Sequence, residues 1–353
     1  MKILFFIHSL GGGGAERVAS ILLNHFCEKH DTYVAILTQK DESYPIDSRV
    51  KVIDNIVKCK IKGAHRILKY RNIYRTIKEV NPDIILSFLV EMNGDTIITN
   101  LLTRKKIIVS ERNSTQHNKT FKKVICRKLL YPFADKVVYV SQEECSKSKI
   151  KNKTYIYNPK NFDSFNDYKQ RSKTIIAIGS QHKWHQKGFD LLINAWAKIE
   201  SHHPDWKLEI LGRICKSPIK SQIEKLGIAK RVEFLGSSTD VASVLKQKSI
   251  YVLSSRYEGF PNSLLEAMSQ GCACIAFNCY TGPKEIITDG VSGILVEDGN
   301  VADLSEKMNL LINDYELREK LSSGAVKESH RFDRNTIFSQ WDELIESIVN
   351  NNI

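Results

Sequence analysis

Along the first half of the chain, short runs of β-branched and aromatic residues alternate with longer stretches whose apolar positions recur every three or four residues. The runs Ile3–Ile7, Tyr33–Leu37, Ile84–Phe88, Ile107–Ser110 and Val137–Val140 predict strands. The stretches near 14–29, 64–80, 94–103, 120–131 and 142–149 predict helices. The alternation restarts at Thr174–Ile178, with further strands near 207–211, 232–235, 250–253, 273–276 and 293–296. Helices near 188–200, 217–227, 240–247, 263–270 and 302–313 separate them, and a long amphipathic pattern, Ile337–Val349, closes the chain. Such alternation builds parallel sheets with helices on both faces, so two doubly wound α/β domains in tandem are expected. The joint falls near Tyr157-Asn158-Pro159, followed by a polar stretch to Ser172. Ligands of these folds sit at the carboxyl ends of the strands, which here predicts a cleft between the lobes.

The length of 353 residues agrees with two domains, each able to bury a core. No apolar run approaches the ~20 residues that span a bilayer. The opening MKILFFIHSL is too short and too lightly basic for a signal peptide and reads as a first strand. Eight cysteines lack metal-ligand spacing (Cys272 and Cys274 form a lone CxC), as expected of reduced cytosolic thiols. The net charge of +12 is uneven: residues 1–155 hold 28 Lys+Arg against 15 Asp+Glu, and the remainder holds 24 against 25. One basic lobe implies an anionic partner, which could be membrane surface, nucleic acid or a phosphorylated substrate.

Gly11-Gly12-Gly13-Gly14 follows the first strand and precedes a helix start at Ala15-Glu16-Arg17. A flexible turn and a phosphate or sugar contact both fit this position. The run is not G-x-G-x-x-G, so a nicotinamide or flavin fingerprint is unsupported, and no Walker A sequence occurs. The strongest motif is Tyr251–Met268, a strand, loop and helix carrying Glu258 in the loop and Glu266 eight residues later on the first helical turn. The segment Gly259-Phe260-Pro261-Asn262-Ser263 forms the place where a helix start, through backbone N–H groups of its non-proline residues, could cradle a diphosphate. Glu258 suits sugar hydroxyls and Glu266 a ribose. Equally, Ser263-x-x-Glu266 is a capping box, and Glu258 could be a solvated loop carboxylate.

These residues, with Gln186-Lys187-Gly188-Phe189-Asp190-Leu191-Leu192-Ile193, Phe234-Leu235-Gly236, Thr281-Gly282-Pro283-Lys284-Glu285-Ile286-Ile287 and the early glycine loop, resemble glycosyltransferase family 4 in order and over nearly the whole chain. The resemblance implies retaining enzymes of the GT-B architecture, two Rossmann-like domains facing across a cleft. The implied domains are 1–157 for the acceptor, 158–335 for the nucleotide sugar, and 336–353 as a helix returning toward the first. Ser110-Glu111-Arg112-Asn113 and Thr281–Ile287 look like bacterial enzymes of capsule, O-antigen or lipid-linked oligosaccharide assembly. By resemblance, Lys187, beside Gly188, neutralises the donor diphosphate, Glu258 contacts the donor sugar and Glu266 holds the ribose. Gly13 and Gly14 belong to the loop closing over the reaction centre.

Two departures stand out. Relatives often carry an arginine directly after a glycine where this chain has Gly179-Ser180, leaving Lys183 or Arg256 to supply a second cation. Relatives also often carry a histidine where this chain has Glu111. That carboxylate would either face the donor sugar or pair with Arg112 at the strand end.

Residues 58–78 hold eight Lys/Arg and 112–134 hold six, without one acid. Their apolar stripes (Ile67, Tyr70, Ile73/Tyr74, Ile77; Phe121, Ile125, Leu129, Leu130) fit an anionic leaflet or packing on the sheet. No nucleic-acid motif accompanies the charge. The sequence is thus read as a cytoplasmic glycosyltransferase, peripheral at the inner face of the membrane. It would move a hexose or N-acetylhexosamine from a nucleotide sugar, UDP-linked, to a lipid-linked saccharide, with no cofactor and no metal. A UDP-sugar epimerase and a non-catalytic partner protein of the same shape are the rivals. Transfer that draws charge stabilisation from Lys187 and helix N–H groups survives EDTA. Complete loss of turnover, restored by Mg²⁺ or Mn²⁺, would overturn this.

Overall fold

A computed structural model describes residues 1–11, 13–38, 44–57, 62–116, 119–169, 171–213 and 218–350. Gly12, residues 58–61 of the first basic segment, residues 117–118 of the second and residue 217 of the helix expected at 217–227 lie outside them. The chain divides into two compact units, Met1–Pro159 with Asn335–Ile353, and Lys160–Arg334.

The first unit is a seven-stranded parallel sheet: β1 (Lys2–Ile7), β2 (Asp31–Ile36), β3 (Lys51–Asp54), β4 (Ile84–Phe88), β5 (Lys106–Glu111), β6 (Lys136–Tyr139) and β7 (Lys153–Tyr155). Their order is β3-β2-β1-β4-β5-β6-β7. Its helices are α1 (Gly14–Phe26), α2 (Lys62–Val80), α3 (Val90–Thr103), α4 (Phe121–Ile125) and α5 (Gln142–Lys147). The second unit has β8 (Ser172–Ile178), β9 (Lys207–Leu211), β10 (Val232–Gly236), β11 (Lys248–Leu253), β12 (Ala273–Phe277) and β13 (Ile294–Val296), in the order β10-β9-β8-β11-β12-β13. Its helices are α6 (Phe189–Ala197), α7 (Ile219–Lys225), α8 (Val241–Lys246), α9 (Asn262–Ser269), α10 (Pro283–Ile286), α11 (Val301–Asn313) and α12 (Tyr315–Ser329). The last helix, α13 (Arg334–Asn350), carries the chain back into the first unit.

Central strands are buried on both faces, so they read as unbroken apolar runs. In β1, Ile3, Phe5 and Ile7 pack with Val18, Leu22 and Phe26 of α1 and with Ile337, Trp341 and Ile345 of α13. Leu4 and Phe6 point the other way, against Ile73 and Ile77 of α2 and Ile97 of α3. In the second unit, Ile175, Ile210, Val252 and Ile275 are buried with Phe189 and Trp196 of α6 and Met308 of α11.

Three departures from the periodicity have local causes. The outer strands β3 and β7 are short, polar and partly exposed, so no apolar run announces them. Tyr315–Ser329 forms an additional helix although its polar and apolar residues are poorly segregated. The helix expected over 120–131 is α-helical only to Ile125, then turns through a π-helical segment, Cys126–Leu130, before Tyr131–Phe133. Cys126 donates to the Val90 carbonyl at 3.4 Å, and a Cβ on Gly94 would sit 2.9 Å from its sulfur. That close approach packs the widened turn on α3.

Because Trp341 is fully buried within the first unit, Trp341→Ala is expected to cost about 3–5 kcal/mol of stability. Urea unfolding measures this, and an unchanged midpoint would remove α13 from the core.

Candidate active site

The order of the second sheet reverses between β8 and β11, the switch point where doubly wound folds leave a crevice beyond the strand ends. The two most specific sequence motifs emerge there. After β8 the chain makes a single turn at Gln181–Lys183, capped by Ser180, whose hydroxyl accepts from the His182 N–H at 3.3 Å. Lys187 then donates its N–H to the Lys183 carbonyl at 2.8 Å, and Gly188 starts α6 with φ of +61°. After β11 comes the loop holding Glu258. The Ser254 hydroxyl donates to the Lys187 carbonyl at 2.9 Å, and the Arg256 N–H to the Gln186 carbonyl at 2.9 Å. The loops are so close that a Cβ on Gly188 would lie 1.8 Å from the Ser254 oxygen.

Across this seam the Lys187 ammonium donates to Glu258 Oε1 at 2.8 Å. The Ser255 hydroxyl donates to the same oxygen at 2.6 Å, and Thr281 Oγ1 donates to the Glu258 carbonyl at 2.7 Å. Glu258 is buried and therefore not a solvated loop carboxylate. A shielded ammonium interacts with a phosphate much more strongly than one in bulk water. The site thus holds the Lys187 cation at the sheet's switch point, with a carboxylate directing it.

Glu266 is the fifth residue of α9, not on its first turn, and is buried; Asn161 Nδ2 donates to its Oε1 at close range. The expected capping box does not form. Pro261 occupies the cap position, Ser263 lies inside the helix, and its hydroxyl is bonded to the Tyr251 OH at 2.8 Å. The Asn262 N–H goes to the Phe260 carbonyl at 3.0 Å, so it is already satisfied locally. Phe260 packs edge-on to Phe332, Gly259 is half-buried beside it, and Pro261 lies against Gly282.

Two assignments need correction. Arg256 is engaged elsewhere: its guanidinium donates to both Asp190 oxygens, at 2.8 and 2.6 Å, and to the His185 carbonyl at 2.6 Å. Burial works against the Asp190 carboxylate, yet Arg256 holds it below the usual range. Arg256 therefore clamps the Lys187 loop to the start of α6, whereas Lys183 stands exposed on its turn. Glu111 is 1% exposed, and its Oε2 accepts from Arg127 Nε at 2.9 Å and Tyr131 OH at 2.8 Å. It faces the interior of the first unit, not a sugar, and burial next to this carboxylate pushes the Tyr131 phenol well up. Nor does it pair with Arg112. That side chain stacks 4.3 Å from Phe88 and 5.6 Å from Trp341, and donates to Asn158 at 2.5 Å.

In the glycine loop, Gly13 is the cap residue of α1, and Gly14 its first residue. A Cβ on Gly13 would strike the Glu16 carboxylate, so only glycine lets that side chain fold over the helix start. Of the apolar stripes, Ile73 and Ile77 pack on the sheet, but Ile67, Phe121 and Leu129 stand largely exposed. Sequence reasoning missed Asn161, Ser254, Ser255 and Asp190 as partners. Asp190 and the serines lie inside quoted motifs, but Asn161 sits in a polar stretch with no signal.

Each unit is Rossmann-like, with a β-order that reverses beside its first strand. Residues 160–328 match the Glycosyl transferases group 1 family. The chain is 26% identical, over 99% of both chains, to the Campylobacter jejuni enzyme GalNAc-alpha-(1->4)-GalNAc-alpha-(1->3)-diNAcBac-PP-undecaprenol alpha-1,4-N-acetyl-D-galactosaminyltransferase. It is 26% identical to the amylovoran biosynthesis glycosyltransferase AmsD of Erwinia amylovora, over 98% of this chain and 99% of that one. The fold resembles Anabaena HepE in complex with UDP-glucose, with a TM-score of 0.84 at 22% identity, covering 98% of this chain and all of that one.

Gly188→Ala puts a methyl group into the Ser254 carbonyl and strains a left-handed residue. It should cost at least ~1–3 kcal/mol and loosen the Lys187–Glu258 contact. Denaturant unfolding checks the first, and an unchanged stability would deny the seam its importance.

Proposed function

We propose that this chain transfers a hexose or N-acetylhexosamine, with retention of configuration, from a UDP-sugar to a lipid-linked saccharide in bacterial surface-glycan assembly. The observation that carries the reading is the shielded Lys187–Glu258 pair at the switch point of the family-matched unit. The undecaprenol-linked acceptor in the Campylobacter relative's name and the UDP-glucose bound by HepE support the two substrate classes.

In this mechanism Lys187 moves toward the donor diphosphate and stabilises the negative charge that grows as the sugar–oxygen bond breaks. Glu258, released from the ammonium but still fixed by Ser255, accepts hydrogen bonds from donor sugar hydroxyls. Glu266 exchanges Asn161 for the ribose hydroxyls. The acceptor hydroxyl attacks on the face the diphosphate leaves, and its proton passes to a departing phosphate oxygen, so the chain supplies no general base. Lysine and helix N–H groups replace a divalent ion. The exposed Phe121, Leu129 and Phe133, among Lys119, Lys122, Lys123 and Lys128, support peripheral contact with an anionic cytoplasmic leaflet.

The test is turnover with a panel of nucleotide sugars and a polyprenyl-diphosphate saccharide, comparing the wild type with Lys187→Ala. Loss of ~10²–10³ in kcat is expected. Near-normal turnover would shift charge stabilisation to Lys183, and net inversion in the product would end the proposed stereochemistry.

A further inference from the structure

The first unit contains a cavity of its own. It measures about 780 Å³ and lies beside the π-helical turn, between that turn and the segment joining α5 to β7. This is room for a ligand of ordinary small-molecule size. Arg127, Lys128, Lys147, Lys149 and Lys151 line it, with Glu144 as the only acid among the described lining residues. The charges do not cancel. Arg127 is spent on Glu111 and Lys147 on Glu143, at 2.9 and 2.6 Å. Glu144 is turned to Thr115, which donates its N–H to one carboxylate oxygen at 2.9 Å and its hydroxyl to the other. Lys128, Lys149 and Lys151 have no carboxylate within ion-pair distance among the described residues.

Three uncompensated ammonium groups around a concave, partly apolar site focus a positive field on whatever enters it. The wall is not incidental to the backbone. The π-helical turn presents Arg127 and Lys128 along the cavity, and such turns recur at functional sites. The chain next to these cations is unusually apolar for a surface: Leu129 follows Lys128, and Phe133 follows the lining Pro132, at 62% and 60% exposure. Cations inside a cavity with bare aliphatic and aromatic groups beside them match an amphiphile whose head is anionic.

We propose that this cavity binds a phosphate ester, the head of an anionic phospholipid, held by Lys128, Lys149 and Lys151 while the acyl chains run over Leu129 and Phe133. It is remote in sequence from Lys187 and Glu258 and takes no part in the transfer chemistry. The inference rests on the reading of the first unit as membrane-facing. It makes that contact a defined one-lipid site instead of a diffuse basic patch.

Calorimetric titration of the full chain with dihexanoyl-phosphatidylglycerol, kept below its micelle-forming concentration, tests the site. Inorganic phosphate and dihexanoyl-phosphatidylcholine serve as parallel probes. Saturable one-to-one binding of phosphatidylglycerol is expected, weakened roughly 10-fold or more in Lys149→Gln/Lys151→Gln, which alters only exposed side chains. Equal affinity for inorganic phosphate supports the phosphate chemistry and makes a free phosphate, not a lipid, its source. Absence of saturable binding by either anion overturns the proposal. So does equal binding of phosphatidylcholine, or unchanged affinity in the double variant. Flotation with phosphatidylglycerol vesicles separates the two readings. Wild-type flotation with flat titrations sinks the cavity and leaves membrane contact standing. Saturable titration without flotation sinks membrane contact and leaves the cavity.

Discussion

The second unit is organised around one contact, the ion pair of Lys187 and Glu258. Withdrawing two charges from water is costly, and a pair of this kind persists only when its remaining hydrogen-bonding capacity is met. Ser255 serves the carboxylate directly. Thr281 and Ser254 fix the two backbones that carry the partners. The ion pair and the Ser254 contact require the β8 and β11 loops to touch, and they can touch only because residue 188 has no side chain. The sheet's reversal of order brings the loops together, and glycine lets them meet.

In the proposed transfer, rigidity around that pair has a chemical purpose. Electrostatic stabilisation of a leaving group works when the charges are in place before the bond breaks. The Arg256–Asp190 clamp holds the base of the lysine loop to α6, using a cation that the sequence offered, as an alternative to Lys183, for the phosphate. Only one long, flexible side chain then needs to move. Lysine suits that task, being a compact charge on a four-carbon stem.

The two sheets were legible in the sequence because strands covered on both faces read as continuous β-branched runs. Outer strands escaped notice because Lys51–Asp54 and Lys153–Tyr155 are short and half polar. Lys187, Glu258 and Glu266 could be singled out from spacing and resemblance, since each lies where a strand gives way to a helix. Arg256 and Glu111 could not be placed correctly. Their partners sit 66 residues away at Asp190 and 16 and 20 residues away at Arg127 and Tyr131, and no local pattern encodes those pairings. Asn161 shows the same limit at a separation of 105 residues from Glu266. A charged side chain is settled by what it meets in space, whereas a strand is settled largely by its own residues.

The division of the chain has a consequence for how it is made. The second unit is continuous, but the first is completed by α13, whose Ile337, Trp341 and Ile345 close over β1, β4 and α1. On the ribosome, the entire stretch Lys160–Arg334 emerges before those residues exist. At ~5–20 residues per second, the nascent sheet waits on the order of 10 s or more with one apolar face covered by α1 but not yet by α13. Until Trp341 arrives, Ile3, Phe5 and Phe88 form a surface that invites holdase chaperones or self-association. Synthesis of the full chain, not of its amino-terminal half, is what brings this protein to a closed state.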